Sequence, residues 1–372
     1  MPAYLDHAAS TPMRPEAVEA MVPYLRERFA NSSGAHGAAR QARRAIDEAR
    51  DVVAVALGCQ PGEVIFTGSG TEADNHAVLG AVRRHGGTAV CSAVEHHAVL
   101  HPVEHVGGRV VAVDGTARID LDALERVLTN DVTVVSVMLA NNEVGTLQPL
   151  DAIAALVRAR APRAVLHTDA VQAFAWLDVV TAAAAADCVS VSAHKFGGPK
   201  GVGVLVVRGD VTLEPLILGG GQERDRRSGT HNVAGIVAMA AAMAATVAER
   251  DELVARAAAQ RDRLVDGLTA AVDGVHETVA RPLKIAGSAH VCIEGIESEA
   301  LLFLLDRAGV CASAASACAS GAMEPSHVLS AMDLPKELSL GALRLSLGYA
   351  TTDADIDLAL DVIPAAVRQL RR

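Results

Sequence analysis

The sequence predicts an α/β protein in two parts: a large domain on a mainly parallel seven-stranded sheet, and a smaller α+β domain. Three observations predict it. Seven short apolar, β-branched runs, at 64–67, 88–92, 109–113, 133–139, 164–168, 188–192 and 202–207, alternate with helical patterns through the first two-thirds of the chain. The alternation stops near Val233, where a long Ala-rich stretch begins. Finally, 372 residues are long for a single core.

The helical patterns between the strand runs lie at 40–57, 71–84, 121–128 and 150–159. A parallel sheet of this kind places ligands at the carboxyl ends of its strands. The Ala-rich stretch leads into 251–272, which carries apolar residues at helical spacing. A strand at 290–293, a helix at 298–308 and a final helix at 352–370 follow. The large domain is therefore expected at 15–245, with the small domain formed by 1–14 and 246–372.

Composition narrows the function. Apolar residues make up 51% of the chain but aromatic residues only 2%, so the interior must be built from Ala, Val and Leu. A net charge of -11 argues against direct nucleic-acid or anionic-membrane binding. Charge appears by Asp6, which argues against a signal peptide, and a cytoplasmic protein is expected. The apolar stretch at 233–248 is short for a membrane span of about 20 residues and reads as a buried helix. The six cysteines, at 59, 91, 188, 292, 311 and 318, form no CxxC pair and no zinc spacing, so no metal site is expected.

Five stretches carry chemistry. In Ser192-Ala-His-Lys195, followed by Phe-Gly-Gly-Pro, a lysine comes directly after an apolar strand. Partial burial there would lower its pKa, as an amine that attacks an aldehyde requires. Asp169 precedes Lys195 by 26 positions, at the end of the previous strand, and Gln172 follows it. A carboxylate so placed suits the ring nitrogen of pyridoxal phosphate (PLP), and Gln172 could reach the phenolic oxygen. The turn Thr67-Gly-Ser-Gly-Thr71 opens a helix, where free N–H groups and the helix dipole favour phosphate. Glu95-His-His97 offers an imidazole that could stack on a planar cofactor. In the run 312–322 every residue except Cys318 is Ala, Ser or Gly, so the thiol is expected to be accessible and reactive. Each stretch alone has a plainer reading: a surface lysine, a helix cap, a capped helix start, a structural histidine pair, a buried cysteine.

Together the five resemble the cysteine desulfurases, a branch of the class V aminotransferase group among fold-type I PLP enzymes. The likeness runs from Tyr4-Leu-Asp-His-Ala-Ala9 to Leu343-Arg-Leu-Ser-Leu-Gly348. Its marks are Asn141-Asn-Glu-Val-Gly145, Ser192-Ala-His-Lys195, Gly219-Gly-Gly-Gln-Glu-Arg224, Arg227-Ser-Gly-Thr230 and Ser316-Ala-Cys318 followed by Glu324-Pro-Ser326. The long cysteine loop is similar to that of the iron–sulfur-assembly type. Ala315 and Ala319 stand where the family usually has Gly and Thr.

The resemblance implies removal of sulfur from L-cysteine, giving L-alanine and a Cys318 persulfide for an acceptor protein. That acceptor would be an iron–sulfur scaffold or an RNA-thiolation enzyme. Lys195 would carry PLP as a Schiff base, His96 would stack on the ring, Asp169 would pair with the pyridine nitrogen and Gln172 with the phenolic oxygen. Gly70, Thr71, Ser192 and His194 would hold the phosphate, joined by Thr230 of a second subunit in a homodimer. Asn31, Asn142 and Arg344 would hold the substrate carboxylate and position the Schiff base. Transamination on the same scaffold needs no thiol, and a non-catalytic assembly scaffold needs none of these groups, so both are weaker readings.

Overall fold

The structure is a computed structural model that describes residues 2–314 and 326–372. Cys318 lies outside the described residues, as do its neighbours in 315–325.

The chain opens with β1 (Ala3–Tyr4) and α1 (Pro15–Arg26), whose Pro15 occupies the first turn, where a missing N–H costs nothing. In α2 (Gly37–Leu57), Ala39, Ala42, Ile46, Ala49 and Val53 form a buried stripe at helical spacing. There follow β2 (Val64–Thr67), α3 (Gly70–His85), β3 (Thr88–Ser92), α4 (His97–His105), β4 (Arg109–Val111), α5 (Leu121–Val127) and β5 (Val132–Ser136). Next come α6 (Leu150–Arg160), β6 (Val165–Asp169), α7 (Val179–Ala182), β7 (Cys188–Ser192) and β8 (Gly203–Val207).

These strands form one seven-stranded sheet in the order β2-β8-β7-β6-β5-β3-β4. Only β8 runs against its neighbours. Both faces are covered, and the strand residues alternate between the two apolar layers of this large core. Val64, Phe66, Val90, Val135, Val204 and Val206 pack in one, and Ile65, Ala89, Cys91, Val134, Leu205 and Val207 in the other. Continuous β-branched runs are what a sheet buried on both faces requires.

α8 (Val233–Ala271) then runs 39 residues without a break. Its Ile236, Met239, Ala242 and Met243 belong to the large core, and its Leu264, Val265 and Leu268 to a second core. The stretch at 233–248 is thus the first half of a core helix. The stretch at 233–248 runs on into 251–272 as this one helix, and Arg250 between them is buried and reaches the Phe174 carbonyl at 3.4 Å.

The second core lies between α8 and a three-stranded antiparallel sheet. That sheet holds β9 (Val275–Glu277) and β10 (Ser288–Ile293); after them come α9 (Ser298–Arg307), β11 (Val310–Cys311), α10 (His327–Ala331), α11 (Lys336–Ser339), β12 (Ala342–Ser346) and α12 (Asp353–Leu370). The sheet order is β12-β10-β9, and β1 pairs in parallel with β11. The N-terminal Ala3 and Leu5 are buried in this second core, and the residues after them reach the large domain, where Ala8, Ala9 and Thr11 contact Lys195 and His194.

Candidate active site

Lys195 follows β7 in a single 3-10 turn, Ala193–Lys195. Its Nζ donates to the carbonyls of Ala8 at 2.6 Å and Ala9 at 3.0 Å. The next turn needs glycine: Gly197 has φ 90°, and a Cβ there would lie 2.5 Å from the Arg14 side chain. Burial lowers the Lys195 pKa to about 8, the Arg344 charge acts in the same direction, and Asp169 and Asp6 oppose it.

Asp169 ends β6 and accepts a hydrogen bond from the Val171 N–H at 2.8 Å. Burial raises its carboxyl above the ordinary range. Gln172, three residues on, donates to the Ala8 carbonyl at 2.8 Å. Beside Asp169 the buried His167 bridges two hydroxyls, Ser136 at 2.7 Å and Ser190 at 2.8 Å. Burial holds this ring neutral, with a pKa of about 3. Asp74 of α3 lies 3.6 Å from the same ring, and its Oδ1 has no hydrogen-bond partner among the described residues. Burial, and then the Asp169 charge, push the Asp74 carboxyl well up.

At the start of α3, Ser69 caps the helix by accepting from the Glu72 N–H at 3.1 Å. Gly70 leaves a hollow: a Cβ there would sit 2.9 Å from Val171 Cγ2 and 3.1 Å from Ser192 Cβ. His96 caps α4, its Nδ1 accepting from the Ala98 N–H at 3.1 Å, so the neutral ring carries its proton on Nε2. Desolvation and the Lys195 charge hold its pKa at about 4.

Arg344, on β12, makes an ion pair with Asp6 at 2.8 Å and donates to the Asn142 carbonyl at 3.0 Å. Its Nε has no partner among the described residues. The 141–145 loop is shaped by Asn141, whose Oδ1 accepts from the N–H groups of Glu143 and Val144.

The fold thus brings Gly70, Thr71, His96, Asn142, Asp169, Gln172, Ser192, His194, Lys195 and Arg344 to the wall of one cavity of about 330 Å³. It lies at the carboxyl ends of β2, β3, β6 and β7. Two expected site residues do not line it. Asn31 is exposed, and its Oδ1 accepts from the Ser33 N–H at 2.9 Å. Thr230 is exposed as well. The expected Cys318 site lies outside the described residues. Of the other cysteines, Cys91, Cys188 and Cys292 are buried and Cys59 and Cys311 half-buried.

The pattern of the class V aminotransferases matches residues 3–359. The chain belongs to this family, among its cysteine desulfurases. The "IscS-like cysteine desulfurase" of Mycobacterium tuberculosis is 47% identical, over 100% of this chain and 97% of its own length. The "Cysteine desulfurase IscS" of Dictyoglomus turgidum is 40% identical, over 99% and 95%. Among solved structures, a "NifS-like protein" superposes with a TM-score of 0.93 at 33% identity, covering 99% of this chain and 100% of that one. A second, "SspA in complex with cysteine", gives 0.81 at 30% identity, over 94% and 99%.

Class V aminotransferases work with PLP, and the cavity suits that group on its own terms. The lowered Lys195 amine suits an aldehyde, and the buried Asp169 suits a protonated ring nitrogen. The Gly70 hollow at the start of a 16-residue helix suits a phosphate. Sequence reading missed Asp6, Ala8, Ala9, Asp74 and Glu143. Asp6, Ala8 and Ala9 do lie in the motif Tyr4–Ala9, where an acidic residue among small ones was the available signal.

Proposed function

We propose that this chain is a PLP-dependent cysteine desulfurase that converts L-cysteine to L-alanine and leaves the sulfur on Cys318 as a persulfide. The observation that carries the reading is Lys195: an amine with a pKa of about 8, in a cavity that also holds a buried carboxylate and a buried guanidinium. Bound PLP supplies an electron sink for the charge left at Cα.

The residues divide the remaining work. Arg344 receives the substrate carboxylate, for which its fork of N–H donors is suited. Asn142, on the adjoining loop, orients the reacting carbon. Lys195 holds the cofactor before the reaction and takes the Cα proton at Nζ during it. His96, neutral and protonated on Nε2, would cover one face of the ring. Asp169 would keep the ring nitrogen protonated, Gln172 would bind the phenolic oxygen, and Gly70, Thr71, Ser192 and His194 would hold the phosphate. The Cys318 thiolate attacks the substrate sulfur; the S–S bond forms as the C–S bond breaks, and the electron pair stays with the carbon fragment. That fragment is protonated at Cβ, regains a proton at Cα from Lys195 Nζ, and leaves as alanine.

The exposed Thr230 and the segment Gly219–Thr230 fit a homodimer in which each subunit completes its partner's phosphate site. The persulfide passes to an acceptor protein that serves iron–sulfur assembly or RNA thiolation. The test is direct: the purified protein is examined for a yellow chromophore and for alanine and sulfide made from L-cysteine. Cys318→Ser should keep the chromophore and its response to cysteine while releasing no sulfide under reductant. Full sulfide release by that variant would exclude Cys318 as the acceptor.

A further inference from the structure

Glu143 is buried, with 4% of its surface exposed, yet it takes no part in the chemistry outlined above. Its Oε2 accepts a hydrogen bond from the hydroxyl of Ser326, itself 6% exposed. The two residues are 183 positions apart in sequence. Ser326 Oγ also accepts from the Val328 N–H at 3.0 Å, as the N-cap of α10, so its one proton is free to go to Glu143. A buried carboxyl left without such a donor is costly, which makes this contact a strong determinant of where Ser326 sits.

The two ends of this contact have different attachments. Glu143 belongs to the loop whose neighbouring Asn142 carbonyl holds the Arg344 guanidinium at 3.0 Å. The Arg344 charge also acts directly on the Glu143 carboxyl. Ser326 begins the segment after the Cys318-bearing run, and Cys318 precedes it by eight residues in sequence. At the other side of that run, Ser313 exchanges backbone hydrogen bonds with Arg344, at 2.7 and 3.2 Å. Next to Ser326, His327 Nε2 lies 2.9 Å from the Glu95 carbonyl, next to the ring-stacking candidate His96. Both roots of the cysteine-bearing run are therefore fastened to the elements that hold the substrate carboxylate and cover the cofactor.

We propose that Glu143 is a positioning residue for sulfur transfer: through Ser326 it fixes the root of the cysteine-bearing run against the loop that supports Arg344. The inference rests on the desulfurase reading. It separates two steps that share a substrate. Loss of the Cα proton depends on Lys195 and Arg344, which Ser326 does not touch. Attack on the substrate sulfur depends on the reach of Cys318, and a small misplacement of a reacting group costs up to about 10²-fold in rate.

The experiment uses the PLP-loaded full-length enzyme, with Ser326→Ala, Ser326→Thr and Glu143→Gln. Two readouts are taken in one rapid-mixing series without reductant: the cysteine-induced change in the cofactor absorption, and persulfide on Cys318 by mass spectrometry of quenched samples. In Ser326→Ala the absorption change should keep its wild-type rate and cysteine dependence, while persulfide forms at least about tenfold more slowly. Ser326→Thr, which keeps the hydroxyl and the cap, and Glu143→Gln, which keeps an acceptor, should both recover most of the persulfide rate. If Ser326→Ala slows both readouts equally, or neither, the positioning role is overturned and the desulfurase reading stands. A wild-type enzyme that forms no persulfide and no alanine overturns both.

Discussion

Arg344, on the wall of the cavity, forms an ion pair with Asp6 at 2.8 Å, 338 residues away in sequence. The guanidinium is thus held in place before any substrate carboxylate arrives, with its unpartnered Nε as the spare donor. A charged hydrogen-bonded pair contributes about 1.5–3 kcal/mol, so Arg344→Ala should weaken L-cysteine binding by about 10–150-fold. Cysteamine, which lacks the carboxylate, should bind the variant and the wild type alike. Equal losses for both ligands, measured by titration of the cofactor absorption, would count against Arg344 as the carboxylate site.

The Lys195 pKa of about 8 makes a prediction for the cofactor-free protein. An amine at its ordinary pKa of about 10.4 is free in well under 1% of molecules at pH 7, whereas one near 8 is free in about 10%. The rate of PLP capture should rise with pH to a midpoint near 8, and Asp6→Asn should move that midpoint down, because Asp6 raises the Lys195 pKa. A midpoint above 10 would show that the burial of Lys195 is not felt by its proton.

Gly70→Ala tests the phosphate hollow. The new Cβ would meet Val171 Cγ2 at 2.9 Å and Ser192 Cβ at 3.1 Å, and neither is the far end of a flexible side chain. The variant should lose PLP on dialysis faster than the wild type while its cofactor-free form melts within a few degrees of the wild-type apoprotein. Unchanged PLP retention would mean that the phosphate lies elsewhere.

The buried histidines should make stability fall on acidification. His167 and His290 are buried, and burial lowers both to about 3 from an ordinary value of about 6.5 in the unfolded chain. Protons therefore bind the unfolded state more readily. The contribution is complete above about pH 6.5 and is lost as the pH falls toward 3, at up to about 1.4 kcal/mol per pH unit for each histidine. Glu95 and Glu143, raised by burial to about 8 and about 7, work in the opposite sense, their contribution being lost as the pH rises through those values. His290→Gln isolates one term: its melting temperature should fall less steeply between about pH 6 and 4 than that of the wild type. Parallel curves would contradict the neutral state assigned to His290.

The sheet was legible in the sequence because strands buried on both faces are continuous β-branched runs with little else in them. Lys195, Asp169, Gln172 and the Ser69–Thr71 turn were legible because each follows such a run at its carboxyl end. Residues that act across long separations left no such trace. Nothing near Asp6 points to Arg344, and nothing near Glu143 points to Ser326; each pair exists only once β12 and α10 have been laid against the large sheet. Asp74 reads as an ordinary polar residue in the first turns of a helix, and its burial follows from α3 packing over β6 and β7. Nor does the charged stretch Arg250-Asp-Glu252 show that Arg250 packs against Phe174.

α8 has a further consequence. At 1.5 Å per residue its 39 residues make a rod about 58 Å long, rooted at one end in the large core and at the other in the small one. A boundary at 245 falls inside this rod, after Met239 and Met243 have entered one core and before Leu264 and Leu268 enter the other. The small core also claims Ala3 and Leu5 from the opposite end of the chain. A cut at 245 would therefore sever α8 and separate Ala3 and Leu5 from the other residues of the small core.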